Sequence, residues 1–232
     1  MNTTEFEQLI KTRRSIHVFQ DKPIPEELIM KALELAIWAP SAGNQQNWLF
    51  YVIYSQEVKN RIAEGMQSVN QIIMSWPEMA SVRPPGPPPG SPLPAFGSPP
   101  PGPRVPGRPD MIRQSPVLIA VACKKTVNPM DQVIIEKAKT DPKARQIIDG
   151  VNIADTPVQS VSGAIAYLQL ALHQLGLGSV WMTGPTQAKS EIEQVLQVPP
   201  DYHFIAMIPV GYPAESPVKD RKPLSEVVRV LK

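Results

Sequence analysis

Residues 157–184 read PVQSVSGAIAYLQLALHQLGLGSVWMTG, and this stretch decides the fold class. Val158, Val161, Ala164, Ile165, Leu168, Ala171 and Leu172 recur every three or four residues, which predicts one long helix over 157–175 with a single inward face. Gly176 and Gly178 end it, as glycine does where the chain must leave the helical turn. Ser179 to Thr183 then reads as a short strand. A long buried helix running straight into a short strand, with no strand-helix-strand beat around it, favours an α+β sandwich of helices around one sheet over a doubly wound fold.

The flanking sequence fits that frame. Towards the N-terminus, Thr4-Glu5-Phe6-Glu7 is a capping-box pattern that opens a first helix, with Phe6, Leu9 and Ile10 on one face. Pro25 begins a second helix through Leu28, Ala32, Leu35 and Ala36, which Ala39-Pro40 stops. A polar loop, 41–47, leads into a strand over 48–54, and Val58, Ile62, Met66, Val69 and Ile73 predict a third helix closed by Trp76-Pro77. From Pro84 to Pro109 the density of proline forbids helix or central strand. Val117 to Cys123 reads as a buried strand, and 131–148 as a polar, interrupted helical stretch. Beyond residue 184 a short helix (189–197), a strong strand (204–210) and a basic tail complete the chain.

Composition limits the function. A net charge of +2 is too small to argue for nucleic acid or a membrane as partner, so any anion site must come from placement. The chain carries 28 prolines, roughly twice the usual share, and the 84–109 segment accounts for the excess. One cysteine, Cys123, cannot make an intrachain disulfide and, within an apolar strand, reads as an inert thiol. No apolar run approaches the ~20 residues of a membrane span, and the N-terminus lacks a leader's apolar centre, so the chain reads as cytoplasmic. Residues 1–232 read as one domain with 84–109 as an insert. Neither His173 nor His203 has metal-ligand spacing, and Trp38, Trp48, Trp76 and Trp181 read as core or interface packing.

Three segments have the composition of a site for an anion and a ring. Arg13, Arg14 and Ser15 offer two guanidinium forks and a hydroxyl, which suits a phosphate, although an arginine pair at a helix end also serves by complementing the helix dipole. Lys219 and Arg221 form a second basic cluster. Ser41 to Asn47 is dense in groups that both donate and accept, as the edge of a heterocycle requires, and equally suits a solvated loop.

Taken in order, Arg13 to Phe19, Ala39 to Trp48, Leu175 to Gly184 and Lys219 to Leu224 closely resemble the motifs of the nitroreductase family. The resemblance covers roughly residues 5–80 and 115–230. It implies a mostly antiparallel, mixed sheet flanked by helices in an intertwined homodimer, with FMN at the interface. It also implies that Arg13 and Ser15, with Lys219 and Arg221, clamp the FMN phosphate, and that Ser41, Asn44 and Gln46 address the flavin from the partner subunit or the ring edge. The backbone of Thr183 and Gly184 would approach flavin N5 and O4, and the same motifs add Arg14, His17, Pro40 and Met182 to the cofactor site. The activity implied is ping-pong transfer of hydride from NAD(P)H, through flavin N5, to an electron-poor nitroaromatic, quinone or activated alkene. The scaffold also implies two alternatives: a reductive dehalogenase or dehydrogenase, or a low-turnover FMN-holding protein whose Pro-rich segment recruits a partner. No catalytic acid or base stands out.

Two departures accompany the resemblance. His17 stands where the family carries Arg or Lys near flavin N1 and O2, and imidazole, which titrates near neutrality, would make flavin reduction less favoured or pH-dependent. Asn47 stands where proline precedes tryptophan in the family. The Pro-rich insert falls where the family places its helical roof over the flavin. It reads as a polyproline lid bringing Leu93 and Phe96 over the ring and Arg83, Arg104 or Arg108 to an acidic substrate, as a surface linker, or as PxxP ligands.

Overall fold

A single strand organises the fold. The computed structural model describes residues 3–81, 108–125 and 128–231, and within it β2 (Val117–Lys124) is buried at every residue from Val117 to Cys123. A strand covered on both faces must be apolar throughout, which is why VLIAVAC shows no alternation. Its neighbours are β1 (Trp48–Ile53) on one side and β4 (Tyr202–Gly211) on the other, with β3 (Gly178–Ser179) beyond β4. All three pairings are antiparallel, and a parallel bridge between Ser15 and Ser179 makes the edge mixed. The expected α+β class is the one observed.

Each face of the sheet carries its own apolar layer. Val117, Ile119, Val121 and Cys123 join Ala206, Ile208 and Val210 beneath α2 (Glu26–Ala36) and α7 (Thr156–Gln174). Leu118, Ala120, Phe204 and Met207 face α3 (Gln56–Ser75), α4 (Arg108–Gln114) and α8 (Lys189–Leu196). The inward face predicted for α7 is buried, Val158 only in part, and Gln169 joins it. Helix α1 (Thr3–Thr12) packs on α7. The polar stretch after β2 resolves into α5 (Pro129–Lys137) and α6 (Pro142–Ala154). Each starts with a capping side chain followed by proline: Asn128 accepts from the Met130 N–H at 3.0 Å, and Asp141 from the Lys143 N–H at 2.8 Å. A short helix, α9 (Leu224–Val227), lies in the C-terminal tail.

Two expectations need correction. Arg108 and Pro109, placed in the Pro-rich stretch, open α4; proline is accepted in a first helical turn, where its missing N–H would have no partner. The rest of that segment, 84–107, lies outside the described residues, as do its lid, linker and PxxP readings. The strand expected over 179–183 pairs at Ser179 and again only at an isolated Met182 to Met207 bridge. The Pro209 carbonyl faces this strand, accepting from Val180 N at 3.4 Å, and proline has no N–H on that side to continue the ladder. Of the four tryptophans expected in core or interface packing, Trp48 and Trp181 pack against the core, and within one chain Trp38 is 79% exposed and Trp76 is 52% exposed.

A bulge between Val121 and Ala122 leaves Ile205 without a register partner and frees the Phe204 N–H, which donates to Glu193 Oε1 at 2.8 Å. Lys189 Nζ lies 2.8 Å from the other oxygen. Burial alone pushes the Glu193 carboxyl up, but the Lys189 and Phe204 hydrogen bonds and the charges of Lys189 and His203 hold it below its ordinary value. The folded value therefore lies below the unfolded one, so this contribution is present above the unfolded carboxyl range and fades as pH falls through the folded value. Glu193→Gln is expected to cost about 1 kcal/mol near pH 7 and progressively less in acid. Urea denaturation of both proteins across that range checks it; a pH-independent difference would contradict the ion-pair account.

Candidate active site

The N-terminal segment reaches the sheet edge through two close contacts. Ile16 N donates to Ser179 O at 3.1 Å, Gln20 N to Tyr212 O at 2.9 Å, and Ala214 N to Val18 O at 3.0 Å, so residues 15–20 run between β3 and the end of β4. Glycine makes both approaches possible. A Cβ at Gly178 would stand 2.8 Å from Ile16 Cγ1, and one at Gly211 would stand 2.6 Å from Phe19 Cβ. In this extended run Ile16 is buried and Ser15 exposed, as alternation requires.

Arg13 and Arg14 follow α1 directly, and Arg221 comes to them from the C-terminal tail. Burial, then the Arg221 and Arg14 charges, hold the Arg13 guanidinium below its ordinary value. Burial and the same two N-terminal arginines, Arg13 and Arg14, also lower His173, whose Nε2 lies 2.9 Å from Thr12 Oγ1. Like charges gathered in a half-buried place are costly unless an anion joins them. A cavity of about 210 Å³ is lined by Arg13, Arg14, His173 and Gln169, and two buried donors there, Arg14 Nε and Gln169 Nε2, have no acceptor. Orphaned donors beside a cationic cluster fit an oxygen-rich anion such as a phosphate ester. Gln169 and His173 project from α7 and read in sequence only as helix positions; no local signal marks them.

His17 lies beside the carboxylate of Glu215. Its backbone N–H donates to Glu215 Oε1, the Val18 N–H reaches the same oxygen at 3.2 Å, and His17 Nδ1 lies 3.6 Å from it. Glu215, which the sequence reading missed, therefore supplies a carboxylate beside the imidazole. Lys219 is exposed and makes no ion pair among the described residues.

The remaining expected residues form two further groups. After exposed Pro40, Ser41 Oγ accepts from Gln46 N at 3.0 Å and Ser41 O from Asn44 N at 2.9 Å; Gly43, Asn44 and Gln46 all have positive φ. This turn is tied to α7 through Ala42 N and Ser160 Oγ at 3.2 Å, leaving the Asn44 and Gln46 side chains exposed. No hydrogen bond or ion pair joins it to the Arg13 cluster among the described residues. Met182 is buried and exchanges two 2.9 Å backbone bonds with Met207, which fixes exposed Thr183 and half-buried Gly184 just beyond the sheet edge. A cavity of about 1010 Å³ between α5, α6 and the 42–45 turn is lined by exposed Lys125 and by two lysines that are already paired, Lys124 with Asp201 at 3.3 Å and Lys189 with Glu193 at 2.8 Å. Cys123 on its wall is buried, and burial followed by Asp155 raises its thiol to about 11, as suits an unreactive thiol.

A model of the nitroreductase family matches residues 10–212, which span all of these groups except Glu215, Lys219 and Arg221. The chain belongs to the nitroreductase family. It is 30% identical over 213 residues to a Methanothermobacter thermautotrophicus protein provisionally named NADH dehydrogenase/NAD(P)H nitroreductase, covering 90% of this chain and 78% of that one. Among solved structures, a BluB-like flavoprotein from Clostridium difficile 630 superposes with a TM-score of 0.74 at 25% identity, covering 98% and 99% of the two chains. An iodotyrosine deiodinase solved with FMN and 3-iodo-L-tyrosine shares the fold, with a TM-score of 0.64 at 21% identity over 97% of each chain. Family membership makes this chain an oxidoreductase. No helix of the described residues is long and apolar enough to cross a membrane.

Proposed function

We propose that the protein is an FMN-dependent oxidoreductase that passes hydride from NAD(P)H to an electron-poor small molecule and works as a homodimer. The observation carrying this reading is the Arg13, Arg14 and Arg221 cluster beside two buried donors that lack acceptors. Arg13, Ser15 and Arg221, with Lys219, hold the FMN phosphate, and Arg14 contributes its unpaired Nε–H. His17, held by Glu215, lies along the same segment. Met182 anchors the backbone of Thr183 and Gly184 to the sheet, so that their N–H groups can meet the flavin ring. When bound, FMN supplies hydride acceptance and release at N5.

The exposed turn carrying Pro40, Ser41, Asn44 and Gln46 addresses the flavin held by the partner. Its separation from the Arg13 cluster supports two chains per site. Exposed apolar side chains on and around α1 and α2, which each pack on α7, and on α7 itself, among them Phe6, Ile10, Trp38 and Tyr167, with Leu231 of the C-terminal tail 95% exposed, support a second copy as their cover.

Purified protein is expected to be yellow, to sediment as a dimer, to bleach with NADH or NADPH under anaerobic conditions and to recolour with a nitroaromatic. Yellow protein inert to both nicotinamides would instead mark an FMN holder, and colourless protein that takes up no FMN would overturn the reading. Recolouring by a halogenated aromatic, but not by a nitroaromatic or quinone, would move the assignment to reductive dehalogenation.

A further inference from the structure

Helix α4 is docked firmly against α3. Arg113 Nη2 donates to Gln67 Oε1 at 2.9 Å, Gln56 Nε2 to Arg113 O at 3.1 Å, and buried Lys59 Nζ to Ser115 O at 2.9 Å and Pro116 O at 3.1 Å. The other end of α4 presents Arg108, whose Nη1 lies 2.4 Å from the point where a Cβ on Gly184 would stand. The guanidinium thus rests directly on the Gly184 backbone, in space that glycine leaves open. It makes no hydrogen bond or ion pair with any described residue. A cavity of about 220 Å³ opens there, with Arg108, Asn70 and Gln187 as its polar groups and Met66, Pro185 and Ala188 as apolar wall. An uncommitted guanidinium fork with two amides above an apolar floor has the chemistry to take a carboxylate carried on a flat apolar body.

We infer that this cavity is the acceptor subsite and that Arg108 selects electron acceptors bearing a carboxylate. The inference rests on the proposed placement of Thr183 and Gly184 at the reactive edge of FMN, since Arg108 lies on that same backbone. Arg108 binds and orients the substrate and takes no part in the hydride step. Arg113 is turned to the Gln67 amide oxygen and to Asp110, and Lys59 to two backbone carbonyls, whereas Arg108 lies on Gly184.

The test compares 4-nitrobenzoate with its neutral methyl ester on the FMN-loaded protein. Affinity is read by calorimetry with no nicotinamide present, and KM and kcat are read separately. Arg108→Gln is expected to weaken 4-nitrobenzoate about tenfold in Kd and KM, leaving kcat and the ester unchanged, while Arg108→Lys recovers part of the loss. Equal effects on acid and ester, no effect on either, or a changed FMN affinity in place of a changed acid preference would overturn the inference. Failure of the protein to take up FMN would overturn the proposed function instead, and Arg108-dependent calorimetric binding of the acid would be judged separately.

Discussion

Arg13→Ala is expected to weaken FMN binding about a hundredfold, the largest loss from any single polar side chain of the proposed site. Arg13 is half-buried beside Arg221 and Arg14, and burial and those charges already disfavour its charged form. Removing a guanidinium that answers a phosphate in such a place costs about 3 kcal/mol, or two decades in Kd. Without the cofactor the same change has the opposite sign, because it relieves repulsion among like charges. Apoprotein carrying Arg13→Ala should therefore melt at or slightly above the wild-type temperature, which separates a ligand role from a structural one. Arg13→Lys keeps the charge and loses the fork, and is expected to fall between the two. Titration of apoprotein with FMN, followed by flavin fluorescence, measures all three. Wild-type affinity in Arg13→Ala would remove the phosphate assignment.

Gly211→Ala and Gly178→Ala should damage the fold and the site together. Each added Cβ meets the body of a side chain on the 15–20 segment, Phe19 at 2.6 Å or Ile16 at 2.8 Å, and neither contact is with the mobile end of a long side chain. Overpacking of this kind costs about 3 kcal/mol, which for a chain of this size lowers Tm by roughly 6–12 °C. Residues 13–17 hang from the same segment, so FMN affinity should fall with it. Gly150→Ala is the control: Gly150 lies inside α6, a Cβ there meets nothing within 4 Å, and better helix propensity should stabilise by about 0.5–1 kcal/mol. If all three substitutions behave alike, the close approach at the sheet edge is not what positions the segment.

What could be read from the sequence and what could not differ by the range of the interactions involved. The α7 face, the unbroken apolar run of β2 and the glycine after α7 are each set by neighbours within a few residues, and periodicity reports them. The start of α4 escaped because proline density in 84–109 outweighed the fact that one proline fits a first helical turn. The short β3 escaped because the missing hydrogen bond belongs to Pro209, on another strand. The arginines of the proposed site were legible as residue types that suit a phosphate. That Arg221 crosses the chain to Arg13, that Glu215 holds His17 and that Arg108 lies on Gly184 was not.

By itself, then, the sequence determined the elements with a strong local period, the α+β class and the kind of chemistry its basic and amide-rich segments could serve. Tertiary structure alone decided which of those segments meet. Charge, orphaned donors and close backbone approach are pair properties of residues far apart in the chain, as Arg13 and Arg221 are, and no local pattern encodes a distance between them.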